Sequence, residues 1–252
     1  MSTQARIKSF FVWDLPTRVF HWLLFAAVAL AYLTGGEEEG GQFTLHVGAG
    51  YGIAALLVFR IVWGFLGSEH SRFRDFTPTP ARVKEHVQGL LAGKPKHYAG
   101  HNPVGGIAIF AMIAILIATL YTGLFGGGEE LHETFANLIL ILAGLHIAGV
   151  IAENVLTGEN LVPAMIHGRK NLPEDAEGAR ESKPVGAGRV LASLAAVVIA
   201  GFAGVSTGAT PWPPTEAAFE GGEHEAEEHE AEEHEAEDYE EGGWEDEDDE
   251  DD

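Results

Sequence analysis

Five long apolar blocks separated by charged loops leave this chain few folds to adopt. A bilayer core is crossed by about 20 consecutive apolar residues, and residues 16–34, 43–66, 104–125 and 131–156 each meet that requirement. Lipid offers the backbone no hydrogen-bond partners, so each block must be helical. A fifth block, 189–210, is richer in Ala and Gly and less hydrophobic, and is predicted to span as well. The expected fold class is an all-α integral membrane protein, a four-helix transmembrane bundle with an added fifth transmembrane helix. Residues 19–34 have the length of a signal-peptide core, but further spans follow at once. Pro16, after Trp13 and Asp14, suits the first turn of a helix.

The loops give the orientation. Residues 1–18, 67–103 and 157–189 hold every Lys and Arg except Arg60, whereas 35–45 and 126–130 hold none and carry Glu37, Glu38, Glu39, Glu129 and Glu130. Positive charge stays on the cytoplasmic side. The chain is therefore expected to be a multi-pass protein of a bacterial cytoplasmic (inner) membrane, with its N-terminus cytoplasmic and its C-terminal tail periplasmic. The net charge of -23 belongs to that tail: from Glu216 onward there are 22 acidic residues and no Lys or Arg. The absence of cysteine excludes disulfides, thiolate iron–sulfur clusters and covalent c-type haem. No glycine-rich nucleotide motif is present, and nothing suggests nucleic-acid binding.

Four histidines lie inside or at the ends of these spans: His21, His46, His132 and His146. Ionisable groups in lipid are costly and mark function. His21 enters the first span near its inner end, His46 the second near its outer end, and His132 the fourth at its outer edge. His146 follows His132 by 14 residues, which is about 21 Å of helix with only about 40° of angular drift. Depth thus pairs His21 with His146 on the inner side and His46 with His132 on the outer side. Two facing imidazoles at each of two levels suit two stacked b haems, held between helices of a bundle. A lone histidine at a helix end is more often interfacial, but four at matched depths are not lone. A dinuclear metal site would need more carboxylates than Glu133 and Glu153.

Arg60 follows His46 by the same interval and so falls near the inner pair, where a haem propionate, Glu153 or the cytoplasmic interface can take its charge. Arg18, just before His21, is a second propionate candidate or simply a positive-inside residue. Gly48, Gly50, Gly52, Gly144 and Gly149 flank the ligands and either admit a flat macrocycle or pack helices closely. Trp13, Trp22, Trp63 and Tyr121 sit where interfacial aromatic belts are expected. The long inner loop carries His70, His86, His97 and His101, with a short interfacial helix expected over 82–91. A quinone site beside the inner haem needs a proton-exchanging group, for which His86 or His101 can serve; solvated loop histidines are the plainer reading.

The segments VWDLPTRVFHWLL (12–24), LHVGAGYGIAALLVFRIVWGFLG (45–67), GHNPVGG (100–106), LHETFANLILILAGLHIAGV (131–150) and ENLVPAMIHGRK (159–170) resemble the prokaryotic cytochrome b561 family. The likeness extends to the b subunits of nickel–iron hydrogenases and covers roughly residues 8–172. It implies a four-helix bundle binding two haem b, with ligands at His21, His46, His132 and His146, the set already obtained from depth. It further implies electron transfer between quinone and a partner such as a periplasmic c-type cytochrome or other redox protein, and a homodimer is compatible with it. The chain would then be a quinone-linked electron-transfer oxidoreductase of a respiratory chain, or an anchor and conduit subunit of a larger oxidoreductase.

Beyond residue 172 the family pattern ends. A charged linker (173–188), the fifth span (189–210) and a His/Glu/Asp-rich tail (211–252) follow, the tail expected to be disordered. Its repeat EHEAE carries His224, His229 and His234, which suits a tether for a basic partner, weak binding of Zn²⁺, Ni²⁺ or Cu²⁺, or mere solubility. Two other classes stay open: a transporter with a histidine proton relay, and a metal-handling membrane protein that captures cations with this tail.

Overall fold

A computed structural model of the chain describes residues 6–36, 40–126, 128–159 and 161–206. In chain order the elements are β1 (Ile7–Phe11), α1 (Leu15–Thr34), α2 (Gly40–Leu66), a 3-10 turn (Glu69–Ser71), α3 (Phe73–Phe76), α4 (Pro80–Leu91), α5 (Pro103–Phe125), α6 (Glu129–Thr157), α7 (Leu161–His167), β2 (Arg169–Pro173) and α8 (Ala187–Ser206). Helices α1, α2, α5, α6 and α8 are long and apolar enough to cross a membrane. These five coincide with the expected spans, apart from 207–210, which with the tail lie outside the described residues.

Local chemistry sets the helix starts. Asp14 caps α1 by accepting a 2.8 Å bond from the Thr17 amide, and Pro16 occupies the first turn. Asn102 caps α5 in the same way through Gly105, with Pro103 leading. Thr79 and Pro80 start α4, close to the interfacial helix expected there. Glu129 and Glu130 fill the first turn of α6, where the helix dipole favours negative charge.

α1 packs along α2, α5 along α6, α2 also meets α5, and α8 lies against α2. The buried centre of the bundle is Ile53, Leu57, Leu116 and Ile139, with Leu24, Ala27, Val28 and Ala31 of α1 packed onto it. Ile53 and Ile139 each lie midway along the interval that separates the two levels of site residues on their helix. The apolar core therefore sits at mid-depth between those levels.

The basic end of the bundle is closed by a cap. β1 and β2 pair antiparallel, Ile7 opposite Pro173 and Phe11 opposite Arg169. Phe10, Val12, Trp13, Ala99, Ala164 and Leu172 form a second core beneath this ribbon. Gly168, at φ +85°, accepts the amides of Val12 and Trp13 at 2.8 and 3.1 Å. A side chain there would meet the Trp13 carbonyl at 2.7 Å, so both φ and space require glycine. Two residues of the expected charged linker are tied down: Ser182 bonds Phe11 and Val12, and Arg180 pairs with Glu69 at 2.9 Å.

Two of the four aromatic residues expected at the interface differ from that expectation. Trp22 and Tyr121 are exposed, as a belt requires, but Trp13 and Trp63 are buried. Trp63 is fully enclosed because its Nε1 donates to Asp14 Oδ2 and Thr17 Oγ1, both at 3.2 Å. Its neighbours are partners inside the protein rather than lipid headgroups.

Candidate functional site

The four intramembrane histidines meet in the two pairs that depth predicts. The ring centroids of His21 and His146 are 6.5 Å apart with planes at 54°, and those of His46 and His132 are 5.9 Å apart with planes at 78°. An imidazole binds a metal at about 2 Å, so two rings sharing one ion across a flat ligand have centroids about 6 Å apart. Both separations fit that requirement.

The His46/His132 pair is also preset in tautomer. His46 Nδ1 donates to the Ala31 carbonyl at 2.8 Å, and His132 Nδ1 donates to the Thr119 carbonyl at 2.9 Å. With the proton held on Nδ1, the lone pair that a metal needs is on Nε2. Close contact fixes the rings from behind. A Cβ at Gly35 would lie 3.1 Å from His46 Cε1, and one at Gly123 would lie 2.8 Å from His132 Cε1. Sequence reading passed over both glycines, because neither is near its histidine along the chain in a recognisable motif.

In the inner pair, His21 Nδ1 is enclosed and has no partner among the described residues, and Trp22 packs edge-on to the ring at 5.2 Å. At Gly48, Gly50, Gly52, Gly144 and Gly149 nothing lies within 4 Å of where a side chain would begin. These faces are open to a flat ring or to lipid. The imidazole donors and this open space fit haem b.

Arg60 is buried within α2. It donates to the Ser71 carbonyl at 3.1 Å and lies over the rings of Phe73 (4.8 Å) and Phe76 (5.7 Å). Gly64 makes this arrangement possible, since a Cβ there would fall 2.1 Å from the Phe73 ring. Glu153, one partner considered for Arg60, instead accepts from Asn102 Nδ2 at 2.8 Å. Among the described residues no carboxylate lies within ion-pairing distance of Arg60, and Asp14 acts on it from further away. Arg18 donates to the Ile166 carbonyl through Nη1, while its enclosed Nε has no partner.

Behind Arg60 stands a buried network that the sequence did not disclose. Asp14 Oδ2 accepts from Trp63 Nε1, Ser71 Oγ (3.0 Å) and the Ser68 amide (3.3 Å). Ser71 Oγ in turn lies 2.7 Å from Thr17 Oγ1. Asp14 thus ties the start of α1 to the segment whose carbonyl holds Arg60. A second network joins His97, Glu159 and Lys170: Glu159 accepts from His97 Nδ1 at 2.8 Å and forms an ion pair with Lys170 Nζ at 2.7 Å, and Lys170 donates to the Tyr98 carbonyl.

The loop histidines differ from the solvated expectation. His70 and His86 are buried, and His101 is packed between the rings of Trp13 (4.6 Å) and Phe76 (4.8 Å). Burial is the main reason that His70 and His101 have pKa values below the ordinary imidazole value, well below it for His101. Among the described residues no group of three or more His, Cys, Asp or Glu is placed to hold a metal ion. His224, His229 and His234 lie outside the described residues.

A family model described as prokaryotic cytochrome b561 matches residues 12–168. A probable Ni/Fe-hydrogenase B-type cytochrome subunit from Rhodobacter capsulatus is 28% identical over 68% of this chain and 84% of its own length. The protein of the same description from Rhizobium leguminosarum bv. viciae is 25% identical over 65% and 89%. That from Azotobacter vinelandii is 22% identical over 66% and 90%. No solved structure matches.

Proposed function

The chain belongs to the prokaryotic cytochrome b561 family, and we propose that it is a di-haem cytochrome carrying electrons across the membrane between quinone and a redox protein on the far side. Membership makes it a membrane b-type cytochrome of electron transport, with haem b as cofactor. The proposal adds two haems, one held by His21 and His146 and the other by His46 and His132. The observation that carries it is the convergence of these two pairs, at 6.5 and 5.9 Å, at opposite ends of one apolar core.

Haem b, when bound, supplies a reversible one-electron store. The chain's own residues do the rest. His46 and His132 offer Nε2 because backbone carbonyls hold their Nδ1 protons. Arg60 in α2 and Arg18 in α1 offer donors to the carboxylates of the inner group. The apolar layer around Ile53 and Ile139 keeps water from the space between the two levels. With the basic loops on the cytoplasmic side, the inner pair is cytoplasmic and the outer pair faces the periplasm.

The partner outside is a redox protein. The relatives' descriptions as hydrogenase cytochrome subunits favour a second form of the same function, in which the chain anchors and wires a catalytic partner and does not act alone. A c-type cytochrome fits the first form. The repeat-bearing tail, if periplasmic, supplies negative charge to steer a basic partner.

The test is electron transfer across a sealed bilayer. Vesicles containing the haem-loaded chain and enclosing ferricyanide should reduce it when a short-chain quinol is added outside. Vesicles with haem-free chain should not. A haem-loaded chain that leaves ferricyanide oxidised would reject the function.

A further inference from the structure

The segment GHNPVGG (100–106) has no role in ligating the four-histidine site, yet its residues converge on one side chain. Asn102 caps α5 through Gly105 and reaches across to Glu153 of α6 at 2.8 Å. Pro103 begins the helix and is fully buried. Gly106 allows the backbone of α3 to approach: a Cβ there would lie 2.5 Å from the Phe76 carbonyl. That approach brings the Phe76 ring to 4.8 Å from His101 on one side, while Trp13 lies 4.6 Å away on the other. The segment is built to hold His101 between two aromatic rings.

The position so fixed is a boundary. His101 lines a solvent-open cleft at the basic end, together with His70, Arg82, Glu177 and Arg180. The cleft charges are largely paired, Arg82 with Glu177 at 2.8 Å and Arg180 with Asp75 at 3.6 Å, which leaves its two imidazoles. His70 is committed in part, its Nε2 donating to the Arg180 carbonyl at 3.1 Å. His101 is not: its Nδ1 is enclosed and has no partner among the described residues. On its protein side His101 is within electrostatic reach of Arg60, Lys170, His146 and His21. His86, the other candidate from sequence, packs edge-on against Tyr98 at 5.4 Å and does not line the cleft.

We propose that His101 is the proton-exchanging residue of the inner side, passing protons between the cytoplasmic cleft and the quinone that exchanges electrons at the His21/His146 level. This rests on the quinone function proposed above. Oxidation of a quinol releases two electrons and two protons. The electrons enter the two redox levels one at a time, and each proton needs a base with access to water. For each proton His101 accepts at Nδ1, becomes imidazolium, and releases a proton from its other nitrogen to cleft water; the neutral ring then returns to its starting tautomer by proton exchange, which frees Nδ1 for the second proton, and quinone reduction runs the same steps backwards. Burial first, then the positive charges of Arg60 and Lys170, keep the ring neutral between transfers. An imidazolium so disfavoured passes its proton on readily.

The full haem-loaded chain is compared with His101→Gln and His101→Ala under two reductants, dithionite and a short-chain quinol, following the haem absorbance. Both variants should keep the wild-type haem content and the wild-type rate with dithionite. With quinol both should slow at least tenfold, and added imidazole should restore His101→Ala while leaving the wild type unchanged. Unchanged quinol rates, slowing without rescue, loss of haem, or equal slowing under dithionite would each overturn the proposal. A wild-type chain that no quinol reduces would reject the quinone function itself, and the role of His101 with it.

Discussion

His46 gives its Nδ1 proton to the carbonyl of Ala31 on the neighbouring helix, 2.8 Å away. One turn beyond Ala31, Gly35 closes against the same ring, with 3.1 Å between a would-be Cβ and His46 Cε1. The His46 ring is thus oriented by a hydrogen bond and by a surface that has no side chain. His132 repeats the arrangement with Thr119 and Gly123, so the outer site is set from both helices before any cofactor enters.

Gly123→Ala should therefore disturb the outer haem. The new methyl would lie 2.8 Å from His132 Cε1, an overlap costing about 1–3 kcal/mol if the ring must move. The expected result is a lower occupancy or a shifted low-spin spectrum for one haem of two. Gly35→Ala, at 3.1 Å, should do the same more weakly. An unaltered outer-haem spectrum in Gly123→Ala would show that the ring is not held from behind.

Asp14→Ala should destabilise the basic end. It removes the α1 cap and the acceptor shared by Trp63, Ser68 and Ser71, and the buried donors it leaves unpaired cost about 2–4 kcal/mol. Because Ser71 holds Arg60, the inner haem should respond before the outer. Thermal unfolding followed by haem absorbance would show this as a lower midpoint with loss starting at the inner site. Simultaneous loss of both haems would place Asp14 in global folding alone.

Glu159 and Lys170 form an ion pair at 2.7 Å whose side chains are only 4% and 5% exposed. Glu159→Gln or Lys170→Met alone leaves a buried charge uncompensated and should cost about 3–5 kcal/mol. The double variant Glu159→Gln with Lys170→Met should recover most of that loss. A thermal-unfolding cycle measures it, and additive single effects would mean that the pair does not act as a unit.

How much of this was legible in the sequence follows from where the physics is local. The five spans could be read because lipid imposes both length and helicity on an apolar block, and the fourth span's two histidines could be placed on one face from helical geometry alone. The basic end could not. Trp63 has the sequence position of a belt residue, and only the fold brings Asp14 and Thr17 to its indole nitrogen. β1 and β2 are five residues each and lie at opposite ends of the family-like region, so neither carries a signal by itself. His70, His86 and His101 lie in a charged, Pro-containing loop that reads as solvated; Trp13 and Phe76 enclose His101, Tyr98 packs on His86, and Gly100, Gly178 and Arg180 lie against His70. Gly35 and Gly123 show the same limit: the contact that requires glycine is with another helix.

The most direct measurement is the haem-to-protein ratio of the purified chain and of its four ligand variants, taken with reduced-minus-oxidised visible spectra. The wild type should hold two haem b per chain. His46→Ala and His132→Ala should each lose the same single haem, and His21→Ala and His146→Ala the other. A colourless chain purified from haem-replete cells, or matching losses in His21→Ala and His132→Ala, would contradict the account.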